Sequence, residues 1–462
     1  MDLAEQIRVF SEVDSELLGS DWGAGLRSPE LMSQVLEGRG WVHETWGRGG
    51  TVVVMGAGTS GRIAFMATDH FSSKHRRVAF LMAGGSAALI RAQEGAEDNP
   101  GSGVEQLKAL MNRMPGPHLL LGVTCGLSAP YVLHAAHWMH NQGARVIVLG
   151  FNSPESVSSI AIGALTVTDF LVSLRQLDRG MLMNPVLGPE AITGSTRLKG
   201  GSATWVLLSW LLGESAPDLS ALEQTLDRYL KRAHRLSDTV ASVGQSLRSG
   251  RGVQYLTDRR YGLSAIMDAA ECGPTFGASF SDVRAFVRGG WRNYRLSHTP
   301  PESIAFSRRP TCLGTCIALG ETVRDSVDLT AILQPAMGEN GWLQLLTVKW
   351  ALNVISSLGF VRAGKVLGNL MIDLRISNRK LWLRAVRIVQ QVAQLESIEA
   401  ESVLLQAAGL TPDMSIDERV TVCAGQTGVV PRAIIMARRD LARDDACEAL
   451  ASGVPIHEWM NP

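Results

Sequence analysis

A short apolar strand that runs directly into a glycine- and hydroxyl-rich loop is the feature that most constrains this chain. Residues 51–55 (TVVVM) form a β-branched run typical of a strand, the loop GAGTSGR follows at 56–62, and a helical stretch then begins. Three further strand-like runs, at 78–81, 119–123 and 145–149, alternate with helical stretches. Apolar strands that alternate with helices predict an α/β fold with a parallel sheet covered on both faces.

Two loops rich in hydroxyl groups follow the first and third of these strands. In a parallel sheet, ligands bind beyond the carboxyl ends of the strands, where helix N-termini offer free N–H groups and a partial positive charge. Such groups bind phosphate, and glycine lets the backbone approach the anion closely. The pattern is not a dinucleotide fingerprint, because no acidic residue follows at the expected place, and it is not a P-loop, because GK[ST] is absent. We therefore predict a phosphate site, with ordinary turns closed by Gly and Ser as the alternative. The loops supply Thr59, Ser60, Thr124, Gly126 and Ser128.

An acidic segment and a C-terminal basic pair offer further groups for a phosphorylated ligand. The segment QEGAED at 93–98 gathers three carboxylates beside a glycine on the ligand side of the predicted sheet. A carboxylate there can accept sugar hydroxyls or act as a general base, and the alternative is a solvated acidic loop. Lys365 and Arg375 can reach an anion, or either can pair with Asp373.

The bulk composition predicts a soluble intracellular protein without a cofactor. Lys+Arg and Asp+Glu both total 44, and this zero net charge gives no long-range attraction to nucleic acid or to an anionic membrane. Residues 1–10 lack a signal-peptide pattern, and apolar stretches such as 205–212 fall short of the ~20 residues that span a bilayer. The cysteines form no CxxC pair and the histidines supply no zinc-ligand spacing, so we expect reduced thiols, no metal and no cofactor. The cysteines are Cys125, Cys272, Cys312, Cys316, Cys423 and Cys447.

A weak internal repeat divides the chain into two lobes. A second strand–loop–helix unit begins at Gly252, and aligning it with the first unit places Gly262 on Gly61 and Ala265 on Ala64. The predicted organisation is an N-terminal helical segment at 1–50, a first domain with the phosphate site at 51–245, a shortened second domain at 250–340, and a helical region with a C-terminal cap at 341–462.

Four long motifs resemble the sugar-isomerase (SIS) family to which glucokinase regulatory proteins and N-acetylmuramic acid 6-phosphate etherases belong. They are GAGTSGR at 56–62, EGAED at 94–98, the GPE…GSTRLKGGSA loop at 188–203 and GKVLGNLMIDLRISNRKL at 364–381. The resemblance covers most of the chain and implies SIS-type parallel-sheet sandwich domains with a helical C-terminal cap. Two further motifs, GLSAPYV at 126–132 and MDAAECGPTFGASFSDVRAF at 267–286, resemble the regulatory branch.

The regulatory branch implies a non-enzymatic protein of the cytoplasm or nucleus that binds fructose 6-phosphate or fructose 1-phosphate and inhibits glucokinase. The resemblance places Thr59 and Ser60 on the phosphate and Glu97 on the sugar hydroxyls. The second lobe has Arg260 and Tyr261 at the positions of Thr59 and Ser60, so we expect it to have lost its own phosphate site. The other implied ligand residues are Thr124, Cys125, Gly126, Ser128, Glu271 from the second lobe and Lys365 from the C-terminal segment.

The etherase branch leaves a carbon–oxygen lyase as the alternative function. Of its two carboxylates one matches Glu97, whereas His70 occupies the expected place of the other. The matching glutamate is Glu271 in the second lobe, which would complete the first lobe's site if the two lobes pack face to face. In that case Glu97 would be the base and Glu271 the acid, with His70 as a weak substitute.

The second lobe is shorter than the resemblance implies. About 60 residues separate Phe286 from Trp350, and the stretch from Gly289 to Gly341 has few strand-like runs. We therefore expect part of the second sheet to be missing or replaced by an irregular segment. Regulatory proteins of this family meet glucokinase through the second lobe and cap. The shortening therefore affects a region that would contact glucokinase.

Overall fold

A computed structural model of the chain describes residues 2–93, 95–114, 116–157, 161–162, 165–175, 178–296, 298–306, 313–320, 323–338, 340–376, 378–452 and 456–459. Two residues singled out by the sequence, Cys312 and Glu94 of the acidic segment, lie outside these ranges. The cysteines within these ranges are free thiols.

Helices α1 to α9 and strands β1 to β7 make up the first half of the chain. In chain order they are α1 (Leu3–Ser15), α2 (Pro29–Gly47), β1 (Thr51–Gly56), α3 (Gly58–Phe71), β2 (Arg77–Met82), α4 (Pro100–Arg113), β3 (His118–Val123), α5 (Pro130–Asn141), β4 (Arg145–Leu149), β5 (Ala161–Ile162), β6 (Leu165–Thr166), α6 (Val167–Leu174), β7 (Gly180–Met183), α7 (Lys199–Leu212), α8 (Leu219–Leu230) and α9 (Ser237–Arg248).

The second half contains the second lobe and the C-terminal helices. Its elements are β8 (Val253–Thr257), α10 (Arg259–Phe276), β9 (Val283–Arg288), β10 (Ala305–Phe306), β11 (Thr315–Leu319), β12 (Val327–Asp328), α11 (Leu329–Leu333), α12 (Gly341–Arg362), β13 (Val366–Leu367), β14 (Leu370–Met371), α13 (Arg379–Ala393), α14 (Ser397–Ala408), α15 (Ile416–Cys423), α16 (Val429–Arg439), α17 (Arg443–Ala451) and α18 (Ile456–Trp459).

The first sheet has the strand order β2-β1-β3-β4-β7, and every neighbouring pair is parallel. Every residue of β1 is buried, as expected for a central strand with helices on both faces. The sheet confirms the predicted α/β fold and its strand-like runs, and it adds β7 as a further strand. Gly56 at the end of β1 is in register with Val123 at the end of β3, so the two hydroxyl-rich loops begin side by side.

The second sheet is complete, which corrects the expectation that part of it is missing. Its strand order is β10-β9-β8-β11-β12, again with parallel neighbours. The second sheet spans residues 253–328, whereas the first spans residues 51–183. Both sheets have five strands, so the difference in chain length lies in the segments that connect the strands. In the described part of 289–314 the chain forms only a 3-10 turn at Gly290–Asn293 and the two-residue strand β10. The second lobe is therefore shorter because fewer helices connect its strands, not because it has fewer strands. The strands were missed in the sequence because runs of two residues give little signal.

The two lobes meet through their long helices. Helix α10 of the second lobe packs against α3 of the first, and α12 packs against α7, α9 and α10. By length and composition α12 could span a membrane, but 89% of its apolar 18-residue window is buried inside the protein, as in the core helix of a folded domain. Through these helix contacts the two lobes pack face to face, which is the arrangement that a site shared between them requires.

The C-terminal helices form a separate layer that reaches back to the first lobe. Helix α13 packs against α14, α15 and α16, and the hairpin β13–β14 joins this layer to α12. The backbone N–H of Thr193 donates to the carbonyl of Asn369, which fastens the hairpin to the loop before α7. The domain bounds given by the sequence stay a prediction.

Candidate functional site

A cavity of about 490 Å³ opens at the carboxyl edge of the first sheet, between the first lobe, the second lobe and the C-terminal layer. It lies where ligands bind in open parallel sheets. All of the predicted ligand residues except Lys365 line this one cavity. They are Thr59, Ser60, Glu97, Thr124, Cys125, Gly126, Ser128 and Glu271.

The loop after β1 presents the N-terminus of α3 to the cavity. Gly58 has a φ of +50°, a left-handed conformation that favours glycine. Helix α3 has no side-chain cap and no acidic residue in its first turn, so its partial positive charge faces the cavity uncompensated. Thr59 and Ser60 in the same turn are buried and line the cavity with their hydroxyl groups. These are the features of a phosphate-binding helix N-terminus.

The loop after β3 forms the opposite wall. The hydroxyl oxygen of Thr124 accepts the backbone N–H groups of Ser128 and Ala129, at 3.2 and 3.3 Å, and this fixes the turn. The thiol of Cys125 lies 3.5 Å from the Ser60 hydroxyl, which joins the two loops directly. Burial raises the pKa of Cys125, so the thiol stays neutral and adds no charge that would repel an anion.

An ion pair across the lobe interface brings Glu271 to the cavity, as expected if the lobes pack face to face. Arg62 on α3 pairs with Glu271 on α10, and their side chains are 3% and 12% exposed. The Nε atom of Arg62 donates to the carbonyl of Leu89 at 3.0 Å, while Nη2 has no hydrogen-bond partner in the part of the chain that the structure describes. Arg62 therefore brings a buried donor to the wall of the cavity. The sequence contained this arginine in the GAGTSGR motif, but a lone arginine in a loop gives no signal of a partner 209 residues away.

Arg384 is the basic residue of the C-terminal segment that lines the cavity, where the resemblance led us to expect Lys365. Lys365 pairs with Asp373 and does not line the cavity, which is the pairing that the sequence left open. Arg384 on α13 lines the cavity and donates to the carbonyl of Gly194 at 3.3 Å. Burial lowers the pKa of Arg384, and the nearby Glu97 opposes that shift. Only the fold of the C-terminal layer reveals which basic residue reaches the cavity.

Glu190 lines the cavity but has a structural task. Its carboxylate accepts the backbone N–H groups of Lys199 and Gly200, at 2.8 and 2.9 Å, and so caps the N-terminus of α7. Burial raises the pKa of Glu190, and the two N–H groups oppose the shift. Helix α7 is therefore already paired with an anion, whereas α3 is not. Glu190 lies in the GPE motif, nine residues before Lys199, which is too far along the chain for a local capping signal.

The corresponding place in the second lobe is filled by the protein's own side chains. Asp258 caps α10 by accepting the N–H of Tyr261 at 3.2 Å. Arg259 pairs with Asp69 at 2.7 Å, and Arg260 donates to the side chain of Gln344 on α12. These contacts support the expectation that this lobe has lost its phosphate site. His70 does not line the first-lobe cavity but a different one.

Three family models match the chain. The N-terminal SIS domain of glucokinase regulatory protein matches residues 40–139, the second SIS domain matches 230–299, and the C-terminal lid domain matches 368–460. The glucokinase regulatory protein of Homo sapiens is 27% identical over 94% of this chain and 85% of its own length, and that of Xenopus laevis is 27% identical over 88% and 80%. An N-acetylmuramic acid 6-phosphate etherase of Vibrio atlanticus is 28% identical over 51% of this chain and 73% of its own.

Solved structures match the chain at a greater distance. Tagatose-6-phosphate ketose/aldose isomerase of Escherichia coli is 13% identical, with a TM-score of 0.42 over 76% of this chain and 93% of that one. The C-terminal domain of glucosamine-fructose-6-phosphate aminotransferase of Francisella tularensis is 11% identical, with a TM-score of 0.40 over 78% and 94%. These scores are too low to support a conclusion about this chain.

The two sheets, the cavity between them and the matched domain models define a protein with two SIS domains and a helical lid. Together the matched ranges cover more than half of the chain, in the same order as in the relatives. The chain belongs to the glucokinase regulatory protein family.

Proposed function

We propose that this protein is a sugar-phosphate-binding regulator that takes fructose 6-phosphate or fructose 1-phosphate into the first-lobe cavity and inhibits a glucokinase. The observation that carries the proposal is the single cavity in which the open N-terminus of α3, a hydroxyl-rich second loop and residues of the second lobe and lid come together. A ligand in this position contacts three parts of the molecule at once, as a ligand that controls their arrangement must.

The lining supports one orientation of the ligand. The phosphate group fits the N-terminus of α3, with Thr59 and Ser60 as hydroxyl donors, because this is where positive potential is uncompensated. The sugar then points toward Glu97 and Glu271, whose carboxylates accept hydroxyl groups, while Arg384 supplies a positive charge from the lid.

The etherase relatives raise a second candidate, cleavage of the lactyl ether of N-acetylmuramic acid 6-phosphate. That reaction needs an acid to protonate the leaving oxygen. Glu271 is held in an ion pair with Arg62, and His70 lines another cavity, so neither is placed as a free acid in the first-lobe cavity. The geometry therefore favours the binding regulator.

The proposal is tested with a purified glucokinase assayed against rising concentrations of this protein. We expect inhibition whose strength changes when fructose 6-phosphate or fructose 1-phosphate is added. We expect this sugar effect to vanish in Ser60→Asp, because a carboxylate at the start of α3 repels the phosphate. Glucokinase activity that never changes would overturn the regulatory role.

The same preparation is incubated with N-acetylmuramic acid 6-phosphate to test the etherase candidate. We expect no release of lactate. Lactate release that disappears in Glu97→Gln would establish the enzyme instead, since a contaminating activity would not respond to that substitution.

A further inference from the structure

Residues 188–203, which carry the GPE…GSTRLKGGSA motif, lead from β7 into α7 and form one side of the first-lobe cavity. We call residues 188–203 the wall segment. Within it, residues 188–190 and 193–196 line the cavity. Other groups of the wall segment are bonded to the lid and to the helices of the second half of the chain. The wall segment is therefore the place where the cavity, the lid and the second lobe meet.

The lid is bonded to the wall segment at two places. The backbone N–H of Thr193 donates to the carbonyl of Asn369 at 2.9 Å, and Arg384 donates to the carbonyl of Gly194 at 3.3 Å. Gly194 has a φ of +81°, and a Cβ atom there would lie 2.5 Å from Cζ of Arg384, so glycine is required for this approach. Because Thr193 and Gly194 line the cavity, the lid is fastened to the cavity wall itself.

Arg197 bonds the wall segment to α10 and α12. Its side chain is 2% exposed and pairs with Asp268 on α10 at 2.6 Å. The Nη2 atom of Arg197 donates to the hydroxyl groups of Ser356 and Ser357 on α12, at 3.0 and 2.8 Å. Arg197 does not line the first-lobe cavity, but it directly follows Thr196, which does. Because a guanidinium group donates in a fixed planar fork, these bonds define where the backbone beside Thr196 lies.

Lys349 on α12 is a second buried anchor, and its side chain is almost fully enclosed. A Cβ atom on Gly201 would lie 3.3 Å from Nζ of Lys349 and 3.4 Å from the methyl group of Thr59, so the end of the wall segment fills the space between α12 and the start of α3. The ammonium group donates to three oxygen atoms of the wall segment, which are the carbonyls of Arg197 and Leu198 and the hydroxyl of Ser202, at 2.8, 3.0 and 2.9 Å.

We propose that the wall segment couples the sugar-phosphate cavity to the lid and to the second lobe, with Arg197 as the residue that positions the wall for the ligand. This role rests on the proposed function and specifies how the ligand and the arrangement of the three parts affect each other. A ligand held against residues 193–196 favours the arrangement in which Arg197 is bonded to α10 and α12. Because such coupling is reciprocal, the bonds of Arg197 raise the affinity of the cavity for the ligand.

Two substitutions weaken this anchor outside the cavity. Ser357→Ala removes one acceptor of Arg197, and Arg197→Lys keeps the positive charge but loses the planar fork. Ser246→Ala on α9 is the matched control. The hydroxyl group of Ser246 is also buried and lies 2.9 Å from the hydroxyl group of Thr315, and Ser246 does not line the first-lobe cavity.

Calorimetric titration with fructose 6-phosphate and fructose 1-phosphate measures the coupling. We expect the affinity to be about fivefold lower in Ser357→Ala and in Arg197→Lys, and unchanged in Ser246→Ala. All three substitutions should lower the urea midpoint, because each removes a buried hydrogen bond. A lower midpoint with unchanged affinity in both test variants would make Arg197 a purely structural residue and overturn the proposal.

Hydrogen exchange without ligand tests the link to the lid whatever sugar phosphate the cavity takes. The backbone N–H of Thr193, which is bonded to Asn369 of the lid, should exchange faster in Ser357→Ala and in Arg197→Lys than in the unmodified protein. The rate in Ser246→Ala should not change. Exchange at Thr193 that is the same in both test variants as in the unmodified protein would overturn the coupling to the lid.

The two measurements separate this role from the proposed function. If the unmodified protein binds neither fructose phosphate while exchange at Thr193 responds, the proposed function fails and the coupling through the wall segment is supported. If the fructose phosphates bind the unmodified protein and both test variants alike, the proposed function is supported and Arg197 has no positioning role.

Discussion

The ion pair between Arg62 and Glu271 joins the lobes at the candidate site, and breaking it has a predictable cost. Glu271→Gln keeps the size of the side chain but leaves the buried guanidinium without a counter-charge. Removing one partner of a buried ion pair costs about 3–5 kcal/mol. The two side chains are 3% and 12% exposed, and a cavity of about 490 Å³ lies beside them, so water moderates the loss. We expect the lower end, about 3 kcal/mol of unfolding free energy.

Urea unfolding followed by circular dichroism measures this loss. The exposed pair of Asp227 and Lys231 on and after α8 is the control, because its side chains are 58% and 68% exposed. Asp227→Asn should cost no more than about 0.5 kcal/mol. The double variant Arg62→Met, Glu271→Met should be more stable than Glu271→Gln alone, since no buried charge remains. The reasoning is refuted if Glu271→Gln costs as little as the exposed control.

Three further predictions concern the phosphate loop, the lid and the buried charge of α1. Gly58→Ala should lower the free energy of unfolding by roughly 1–2 kcal/mol, because φ is +50° at Gly58. Gly101→Ala, at the start of α4, should not lower it. Equal effects of the two substitutions in urea unfolding would contradict the strained loop. Arg384→Met should weaken fructose 6-phosphate binding about tenfold, because Arg384 lines the cavity. Lys365→Met should weaken it by less than about twofold, because Lys365 pairs with Asp373 instead. Calorimetry measures both, and a larger effect of Lys365→Met would assign the ligand contact to Lys365. Burial raises the pKa of Asp14 from 3.8 to about 7. Between these two pH values the folded state holds a proton on Asp14 that the unfolded state has lost, so the free energy of unfolding should fall as pH rises from about 4 to 7. Asp14→Asn should flatten that slope in urea unfolding at several pH values, and an unchanged slope would assign it to another group.

The first lobe was predictable from sequence because its signals are local. A strand of six buried residues, a glycine-rich loop and a helix follow one another without interruption at Thr51–Phe71. The rule that ligands bind at the carboxyl ends of parallel strands then placed the two loops at one edge. In the structure, Gly56 at the end of β1 is in register with Val123 at the end of β3, so the two loops do begin at the same edge.

The remaining parts of the site depend on contacts between segments that are distant in sequence. Lys365 and Arg384 both lie in the C-terminal segment, and only the packing of α13 against the first lobe brings the second of them to the cavity. Glu190 resembles any loop acid until the N–H groups of Lys199 and Gly200 are seen to point at it.

The second sheet shows a different limit. Its strands β10 and β12 are two residues long, and β11 adjoins a stretch rich in Pro and Ser. Alternation of apolar and polar residues cannot be recognised in so few positions. Hydrogen bonds to long neighbours such as β8 and β9 define these strands, and those bonds form only in the folded sheet.

Calorimetric titration of the protein with fructose 6-phosphate and fructose 1-phosphate shows whether the first-lobe cavity is a sugar-phosphate site. Ser60→Asp is the test variant, and Ser220→Asp, the same substitution at an exposed position on α8, is the matched control. The account predicts binding at one site per chain, loss of that binding in Ser60→Asp, and unchanged binding in Ser220→Asp. Binding that survives in Ser60→Asp, or no binding to the unmodified protein at millimolar sugar phosphate, would contradict it.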